Sequence, residues 1–303
     1  MSSYQRTVTD LNESWMRLVN LVMNEGKPVA PRNLSSIEVE NVSITYSQPT
    51  FVFKNRIRRL NPIFHLVELF YFMDGRNDGM LINYIAKMAD FANSSMRFDG
   101  SYGPAMYESL PFIILQLMGD RSSRRAGFPM IRMQHVAQPT LRDFPCNIML
   151  WFRIRENKLN MNVVTRSQDL YRGFLYDTLE FQLLQTMIAR LLKVDVGTYH
   201  HNIFSLHLYD EDIDRAHKAA NIRNTDGPIV YPTLPNFDTF HELWEWSHIH
   251  CMIADLARNP DQIKLRGAGQ DDIESAILRY KTGSTLFDNG GIYTTWVKEW
   301  LER

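Results

Sequence analysis

The chain has 303 residues, enough for one large domain or two small ones, and its 45% hydrophobic and 22% charged content is typical of a globular protein. Lys and Arg number 33 against 34 Asp and Glu, so the near-neutral charge gives no sign of nucleic acid or an acidic membrane surface as partner. We therefore expect any anion site to be local.

The two cysteines, Cys146 and Cys251, are too few for a disulfide framework, and their spacing is no metal signature. They are most simply explained by a reducing compartment. Residues 1–15 lack an apolar signal core, and no run approaches the roughly 18 apolar residues of a membrane helix. We expect a cytoplasmic protein that has no membrane partner and no metal.

The N-terminal part of the chain predicts a helix, a strand and a second helix. Apolar residues recur at helical spacing over Thr9–Asn24, and polar and apolar residues alternate over Ser36–Tyr46, as in a strand. Asn61–Gly75 predicts a helix with an N-cap at Asn61, Pro62 in its first turn and a C-terminal glycine.

Glu68 lies in the middle of this third segment, among almost uninterrupted apolar residues. If it is buried, its carboxylate needs a partner or a proton, because an unpaired buried charge costs several kcal/mol, roughly. The alternative is a narrow exposed stripe, since long acidic residues are rarely fully buried.

A loop is predicted over Asn93–Tyr107 and a helix over Ser109–Met118. The Ser- and Gly-rich segment that follows carries a basic cluster, Arg121, Arg124 and Arg125. Such a run is usually a solvated loop, but arginine forks also match phosphate oxygens, so an anion clamp stays open.

The central part of the chain is rich in predicted strands. We expect a strand over Met130–Gln138, a hairpin from Asn147–Arg155 and Lys158–Thr165, and a strand over His200–Tyr209. Residues 176–194 predict a helix, with Asp177 and Glu180 resembling a capping box.

The C-terminal part has a different character. A proline-containing loop is predicted over Pro228–Thr239, followed by an aromatic-rich helix over Phe240–Leu256 and further helices over Asp271–Tyr280 and Tyr293–Leu301. We find no long linker, repeat or low-complexity segment, so we predict one domain over residues 1–303.

Seven motifs, in order along the chain, resemble the thymidylate synthase family. FPCN resembles its nucleophile segment, and RSQD, GFLYD, HLY and SRR match its Arg-Ser-x-Asp, helix-opening, His-x-Tyr and arginine-pair motifs. HLVELFYFMDG resembles the helix with a catalytic Glu, and SYGPAMY the loop with an active-site Tyr. FPCN begins at residue 144, RSQD at 166, GFLYD at 173, HLY at 207, SRR at 123, HLVELFYFMDG at 65 and SYGPAMY at 101.

The resemblance implies an α+β fold in which a mixed β-sheet forms the dimer interface and helices pack on its other face. It covers a core of about 30–215, leaving a C-terminal helical extension of about 236–303. It also implies a homodimer with shared active sites that binds a pyrimidine nucleoside monophosphate and uses 5,10-methylenetetrahydrofolate as co-substrate.

Two departures point to the family's cytidylate hydroxymethylases. Asp177 stands where thymidylate synthases carry Asn, and NIFSLHLY replaces their Gly-Asp pair before the His. A carboxylate can accept from the 4-amino group of cytosine and stabilise a proton on N3, and it would repel O4 of uracil. The competing explanation is that Asp177 only caps its helix. A further departure is the chain end, VKEWLER, which lacks the synthases' apolar tail.

The resemblance also implies a role for each candidate residue. Cys146 would attack C6 of the base, although a single Cys is more often a small buried hydrophobe. Glu68 would organise water and proton transfer, Tyr102 would lie beside the thiol, and Asp169 would contact the folate. The candidate ligands of the phosphate are Arg166, Ser167 and Arg32, together with the second chain's arginine pair, Arg124 and Arg125. The candidate ligands of the base and sugar are Asp177, His207, Tyr209, Asn202 and Ser205.

Three functional hypotheses follow. The first is a cytidylate 5-hydroxymethyltransferase, the second a folate-dependent C5-methylase of a cytosine or uracil nucleotide, and the third an idle family member that binds nucleotide or a protein. Cys146 and Glu68 argue against the third. The bulk of Tyr176 beside the sugar site slightly favours dCMP over CMP.

Overall fold

The computed structural model describes residues 4–51, 53–61, 64–138, 141–222, 234 and 236–258. These residues form two compact units. The first comprises the described residues of Met1–Leu60, Leu115–Met130 and Cys146–Ile229, and the second those of Asn61–Ile114, Ile131–Pro145 and Val230–Arg303. The helices expected over 271–280 and 293–301 and most of the loop over 228–239 lie outside the described residues. The single-domain expectation stays a prediction.

The first unit is built on a mixed eight-stranded sheet. Its strands are β1 Tyr4–Val8, β2 Lys27–Val29, β3 Ser36–Tyr46, β4 Gly127–Pro129, β5 Asn147–Arg155, β6 Lys158–Thr165, β7 Gln168–Asp169 and β8 Asp195–Tyr209. Their order in the sheet is β1-β3-β8-β6-β5-β4, and β2 pairs with β3 and β7 with β8. The β1/β3, β6/β8 and β7/β8 pairs are parallel and the others antiparallel.

Three helices accompany the sheet: α1 Leu11–Glu25, α5 Phe174–Leu191 and α6 Asp210–Ala220. α1 begins as its pattern predicts, because the Asp10 side chain accepts a hydrogen bond from the Glu13 N–H at 2.7 Å. The strand expected over Ser36–Tyr46 is confirmed, and the predicted hairpin is confirmed as β5 and β6.

The sheet has one covered face and one open face. Tyr46 and Tyr199 are buried neighbours on adjacent strands, and the Tyr46 hydroxyl bonds Ser14 of α1 at 2.8 Å. On the same face, His201 stacks on Phe174 of α5 with ring centroids 5.7 Å apart. Because side chains alternate along a strand, both helices cover one face. The result is the α+β fold with a mixed sheet that was expected.

The open face is polar and half-buried. Ser43 donates to Asn202 at 2.9 Å, and Thr45 pairs with His200 at the same distance. This is the face on which the expected dimer would form, and the dimer itself stays a prediction.

The second unit contains α2 Phe64–Met73, most of α3 Gly103–Gly119, α4 Met133–Val136 and α7 Phe240–Arg258, with 3₁₀ turns at Gly79–Asn83 and Ala86–Asp90. α2 packs on α7, where Phe70 meets Trp246 edge-on at 5.3 Å. The predicted caps of α2 agree with its described residues: Asn61 Oδ1 accepts the Phe64 N–H at 3.3 Å, and Gly75 has φ of +71°. Pro62, expected in the first turn, lies outside the described residues.

Three local predictions are wrong. The strand expected over Met130–Gln138 is instead the turn of α4, because Arg132 N–H donates to His135 Nδ1 at 3.0 Å and the backbone bonds of a helix follow. α3 begins at Gly103, six residues before the expected start, and continues through Pro111.

The capping box is the third. α5 begins at Phe174 after Gly173, so Asp177 already lies inside the first turn and makes no cap.

Among the described residues, no helix is long and apolar enough to span a membrane.

Trp15 of α1 ties the covered face to the loop after β7. The ring is fully buried, its Nε1 donates to the Leu170 carbonyl at 2.8 Å, and it meets Phe53 edge-on at 5.5 Å. We predict that Trp15→Phe lowers the free energy of unfolding by about 2 kcal/mol, because the Leu170 carbonyl loses its partner and a cavity forms. Urea unfolding followed by circular dichroism measures this.

Arg17→Ala is the control, since it removes only the exposed pair with Glu13 and should cost under about 0.5 kcal/mol. Equal losses in the two variants would contradict the anchoring role of Trp15.

Candidate active site

Cys146 stands directly before β5, and the sheet brings Arg166 to it. Asn147 pairs with Thr165 across β5 and β6, so the next residue, Arg166, donates its backbone N–H to the Cys146 carbonyl at 2.9 Å. Arg166 Nη2 lies 3.8 Å from Cys146 Sγ, and both residues are half-buried. A guanidinium beside a partly accessible sulfur favours the thiolate, which is the nucleophilic form.

β7 places the rest of the RSQD motif beside β8. Gln168 pairs with Leu206 and Asp169 with His207 in parallel register, and Ser167 is half-buried directly before β7. Asp169 Oδ1 accepts the N–H groups of Tyr171 and Arg172, each at 2.9 Å. Burial nevertheless raises the pKa of Asp169 above its usual value. Oδ1 is thus committed to the backbone, and Oδ2 lies 3.7 Å from Arg172 Nε.

His207 and Tyr209 stand next to these residues near the end of β8. Their rings meet edge-on at 5.0 Å. Burial lowers the pKa of His207, which the Asp169 carboxylate opposes. Burial raises the pKa of Tyr209, and the charges of Asp169 and Cys146 add to this while Arg32 opposes it. The charges of Cys146 and Arg32 therefore act on Tyr209, at the same end of the sheet as His207.

Arg172 is part of the same group. Its guanidinium lies over the Tyr209 ring, 5.0 Å from the centroid, and donates to Asp212 Oδ2 at 2.6 Å and to Glu211. These contacts hold α6 to the loop that follows Asp169. Sequence reasoning did not single out Arg172, although the three acidic residues that open α6 would have been a signal for a basic partner.

Asp177 is half-buried in the first turn of α5, facing the sheet. Its Oδ2 accepts a hydrogen bond from Gln168 Nε2 at 2.7 Å. Burial raises the pKa of Asp177 to about 6, and the Gln168 bond opposes the rise. Gln168 was also missed, because nothing in RSQD shows that the third residue points at a side chain nine positions later.

The arginine pair lies elsewhere. Arg124 and Arg125 are exposed, and Arg124 lines a surface cavity of about 580 Å³ together with Arg121, Arg155 and Asn157. Arg121 is anchored there by the Leu192 carbonyl at 3.1 Å. Arg155 ends β5 whereas Cys146 precedes it, so Arg155 and the cavity that it lines are roughly 30 Å along the strand from Cys146 of the same chain.

Asn202 and Ser205 have hydrogen-bond partners on β3 rather than Asp177. Asn202 points to the open face of the sheet, opposite to α5, where it accepts from Ser43. Ser205 donates to Glu38 Oε2 of β3 at 2.5 Å. Their predicted contribution to base binding stays a prediction.

Glu68 and Tyr102 belong to the second unit. Glu68 is the half-buried residue of α2, whose other side chains are buried, so it is neither sealed in a core nor fully exposed. Tyr102 is buried and its ring lies 5.0 Å from that of Phe72. Because Phe72 is one turn after Glu68, Tyr102 packs on the helix face that carries the carboxylate.

Cys251 lies in α7, and its surroundings suit a buried structural side chain rather than a nucleophile. It is buried, and Arg76 Nη1 lies 3.7 Å from its sulfur. Burial raises the pKa of its thiol to about 12. Cys146 and Cys251 form no disulfide within the described residues. Within the described ranges, no group of three or more His, Cys, Asp or Glu side chains is arranged to hold a metal ion.

Comparisons with known proteins identify the family to which the chain is similar. Residues 13–241 match the family model of thymidylate synthase. The chain is 27% identical over 247 residues to the deoxyuridylate hydroxymethyltransferase of Bacillus phage SP01, which is 71% of this chain and 63% of the relative. The proteins of the same name from Pseudomonas phage M6 and Delftia phage PhiW-14 are 30% and 27% identical over 57% and 65% of this chain. Of those two relatives the chain covers 53% and 60%.

We predict that Arg166→Gln slows alkylation of Cys146 by iodoacetamide at pH 7.5 by roughly tenfold, because removing the cation lowers the thiolate fraction. Peptide mass spectrometry measures the rate at each cysteine, and buried Cys251 serves as the unreactive internal reference. Arg153→Gln, an exposed change on β5, is the control. An unchanged rate in Arg166→Gln would contradict the pairing.

We predict that Asp177→Asn stabilises the protein in a pH-dependent manner. The pKa of Asp177 is raised to about 6, so its stabilising contribution is complete below pH 4 and is lost as the pH rises through 6. The Asn variant should therefore be more stable than the wild type by about 2 kcal/mol at pH 7.5 and nearly equal at pH 4.

Urea unfolding at the two pH values tests this, with the exposed Asp195→Asn as control. A stability difference that is the same at both pH values would show that Asp177 does not titrate as described.

Proposed function

The chain belongs to the thymidylate synthase family, and from this premise we propose that it is a cytoplasmic cytidylate 5-hydroxymethyltransferase. It would transfer the one-carbon unit of 5,10-methylenetetrahydrofolate to C5 of a cytidine monophosphate, with dCMP preferred over CMP, and water would complete the hydroxymethyl group. The observation that carries this substrate choice is the Asp177 carboxyl, which is partly buried, faces the sheet and is not used as a helix cap.

The chemistry of Asp177 favours cytosine at neutral pH. Above its pKa of about 6 the group is an ionised acceptor, which complements the 4-amino group and a proton on N3. Uracil presents O4 at the same position, and two acceptors repel each other. An Asn amide, which donates as well as accepts, would suit uracil instead.

Cys146 would begin the reaction. Its thiolate, favoured by Arg166, adds to C6 and makes C5 nucleophilic. C5 then forms a bond to the methylene carbon as the bond from that carbon to N10 of the folate breaks. Loss of the C5 proton then expels N5, which releases tetrahydrofolate and leaves C5 with an exocyclic methylene. Water adds to that carbon and the thiolate is eliminated from C6, so no oxidant or reductant is consumed.

The remaining residues would bind and orient the nucleotide. Arg166, Ser167 and Arg32 would hold the phosphate, and His207 with Tyr209 would bond the sugar hydroxyl. Glu68, half-buried on α2, would position water and move the proton. The co-substrate supplies the one-carbon unit, and Asp169, whose Oδ2 also lies 3.7 Å from Arg172 Nε, would contact it.

We propose a homodimer with shared sites. Arg124 lines the cavity at the Arg155 end of β5, which is roughly 30 Å along the strand from Cys146 of its own chain, too far to reach the same nucleotide phosphate. The resemblance assigns this arginine pair to a second chain, and the open polar face of the sheet supports a partner there.

A second candidate is a deoxyuridylate hydroxymethyltransferase. It is favoured by the printed names of the phage relatives. Asp177 could serve uracil only in its protonated form, which donates to O4 and accepts from N3–H. Turnover of dUMP by such an enzyme would therefore fall as the pH rises through about 6.

We predict that the full chain releases tritium from C5-labelled dCMP with methylenetetrahydrofolate present, at least tenfold faster than from dUMP at pH 7.5, and forms no dihydrofolate. Asp177→Asn should reverse the preference by more than tenfold, since one wrong polar contact costs about 1–3 kcal/mol. Parallel assays with CMP establish the sugar preference.

Each alternative has its own outcome. Faster release from dUMP, declining above pH 6, would replace the first candidate by the second, and accumulating dihydrofolate would identify a methylase. Unimpaired turnover by Cys146→Ser would exclude the covalent mechanism. Nucleotide binding without any turnover would identify an idle family member.

A further inference from the structure

Gln168, the third residue of RSQD, connects β7 to the first turn of α5. It is 2% exposed in β7, beside Leu206 of β8. Its side chain passes close to Gly173, where an added Cβ would lie 3.4 Å from Nε2. From there Nε2 donates to Asp177 Oδ2 at 2.7 Å.

The direction of this hydrogen bond is fixed by chemistry. An ionised carboxylate only accepts, so the amide must present its NH₂ group to Asp177 and turn Oε1 away. In the part of the chain that the structure describes, Oε1 is buried and has no hydrogen-bond partner. Leaving a buried acceptor unpaired costs free energy, which Leu or Met at this position would avoid. The glutamine is therefore explained by its contact with Asp177 rather than by packing.

We propose that Gln168 is a positioning residue for base selectivity, which holds the Asp177 carboxylate as an oriented hydrogen-bond acceptor for a 4-amino pyrimidine. This inference rests on the function proposed above. It adds a second residue to the recognition of the base, one that never touches the nucleotide. Without the amide, the carboxyl would take up a proton more readily and could then pair with either base.

The surroundings of Asp177 leave this role to Gln168. Burial raises the pKa of Asp177, and the Gln168 bond is the influence that opposes it. On β8 the facing group is the Tyr199 phenol, whose own pKa is raised by burial and by Asp177, so it is neutral at working pH. On α5 the nearest acidic neighbour is the buried Glu180, which acts on the same phenol. Neither supplies a cation that could replace the amide.

The experiment compares Gln168→Met and the isosteric Gln168→Glu with the wild-type chain. The Asp177 carboxyl is titrated by ¹³C NMR in the substrate-free protein, with Asp177→Asn used to assign its signal. kcat/KM for dCMP and dUMP is then measured from pH 5.5 to 8.5.

We expect the Asp177 midpoint to rise by roughly one pH unit in Gln168→Met and further in Gln168→Glu, where two carboxyls share a proton. The ratio of kcat/KM for dCMP to that for dUMP at pH 7.5 should fall by at least fivefold. Gln182→Met is the matched control, because Gln182 is a buried glutamine of α5 that accepts from the Thr50 N–H. It should lose stability but keep both the midpoint and the ratio.

The two proposals fail in different ways. An unchanged midpoint in both Gln168 variants overturns the role of Gln168, whatever the substrate is. A raised midpoint in a wild-type enzyme that prefers dUMP overturns only the substrate choice. If Gln168→Met does not fold, Gln168→Glu decides, and a midpoint that moves equally in Gln182→Met would reduce Gln168 to a structural residue.

Discussion

Strand β8 is the element on which the first unit depends. It pairs with β3, β6 and β7, so its register fixes the positions of residues far apart in sequence. Parallel pairing with β7 sets Asp169 against His207, and β6, which also lies beside β8, leads directly into Arg166. A shift of β8 by one residue would exchange its two faces and separate these groups.

The division of the sheet into a covered and an open face accounts for the electrostatics. On the covered face, burial raises the pKa of Asp177 and lowers that of His201 to about 3. On the open face, polar residues such as Asn202 and Ser43 satisfy one another. The Asp177 carboxyl therefore stands on the covered side of the sheet, where its protonation responds strongly to the hydrogen bond from Gln168.

Much of the fold could be predicted from sequence because its main elements follow simple periodicities. The alternation in β3, the hairpin pattern of β5 and β6 and the helical spacing in α1 predicted these elements within a few residues. Short pieces could not be predicted: β1 and β2 have too few residues for a pattern, and α4 is a single turn held by Arg132 and His135. The position of Asp177 was recognised from a motif, but its contact with Gln168 depends on how β7 and α5 meet, which sequence does not encode locally.

The carboxyl at position 177 has an evolutionary consequence. The ionised Asp177 carboxylate costs the fold free energy, and one nucleotide change to Asn would remove that cost. Under the proposed function the same change would favour uracil, so stability and base selectivity would act on this position in opposite directions. A lineage that depends on a modified cytosine would then retain Asp177 by selection on the product.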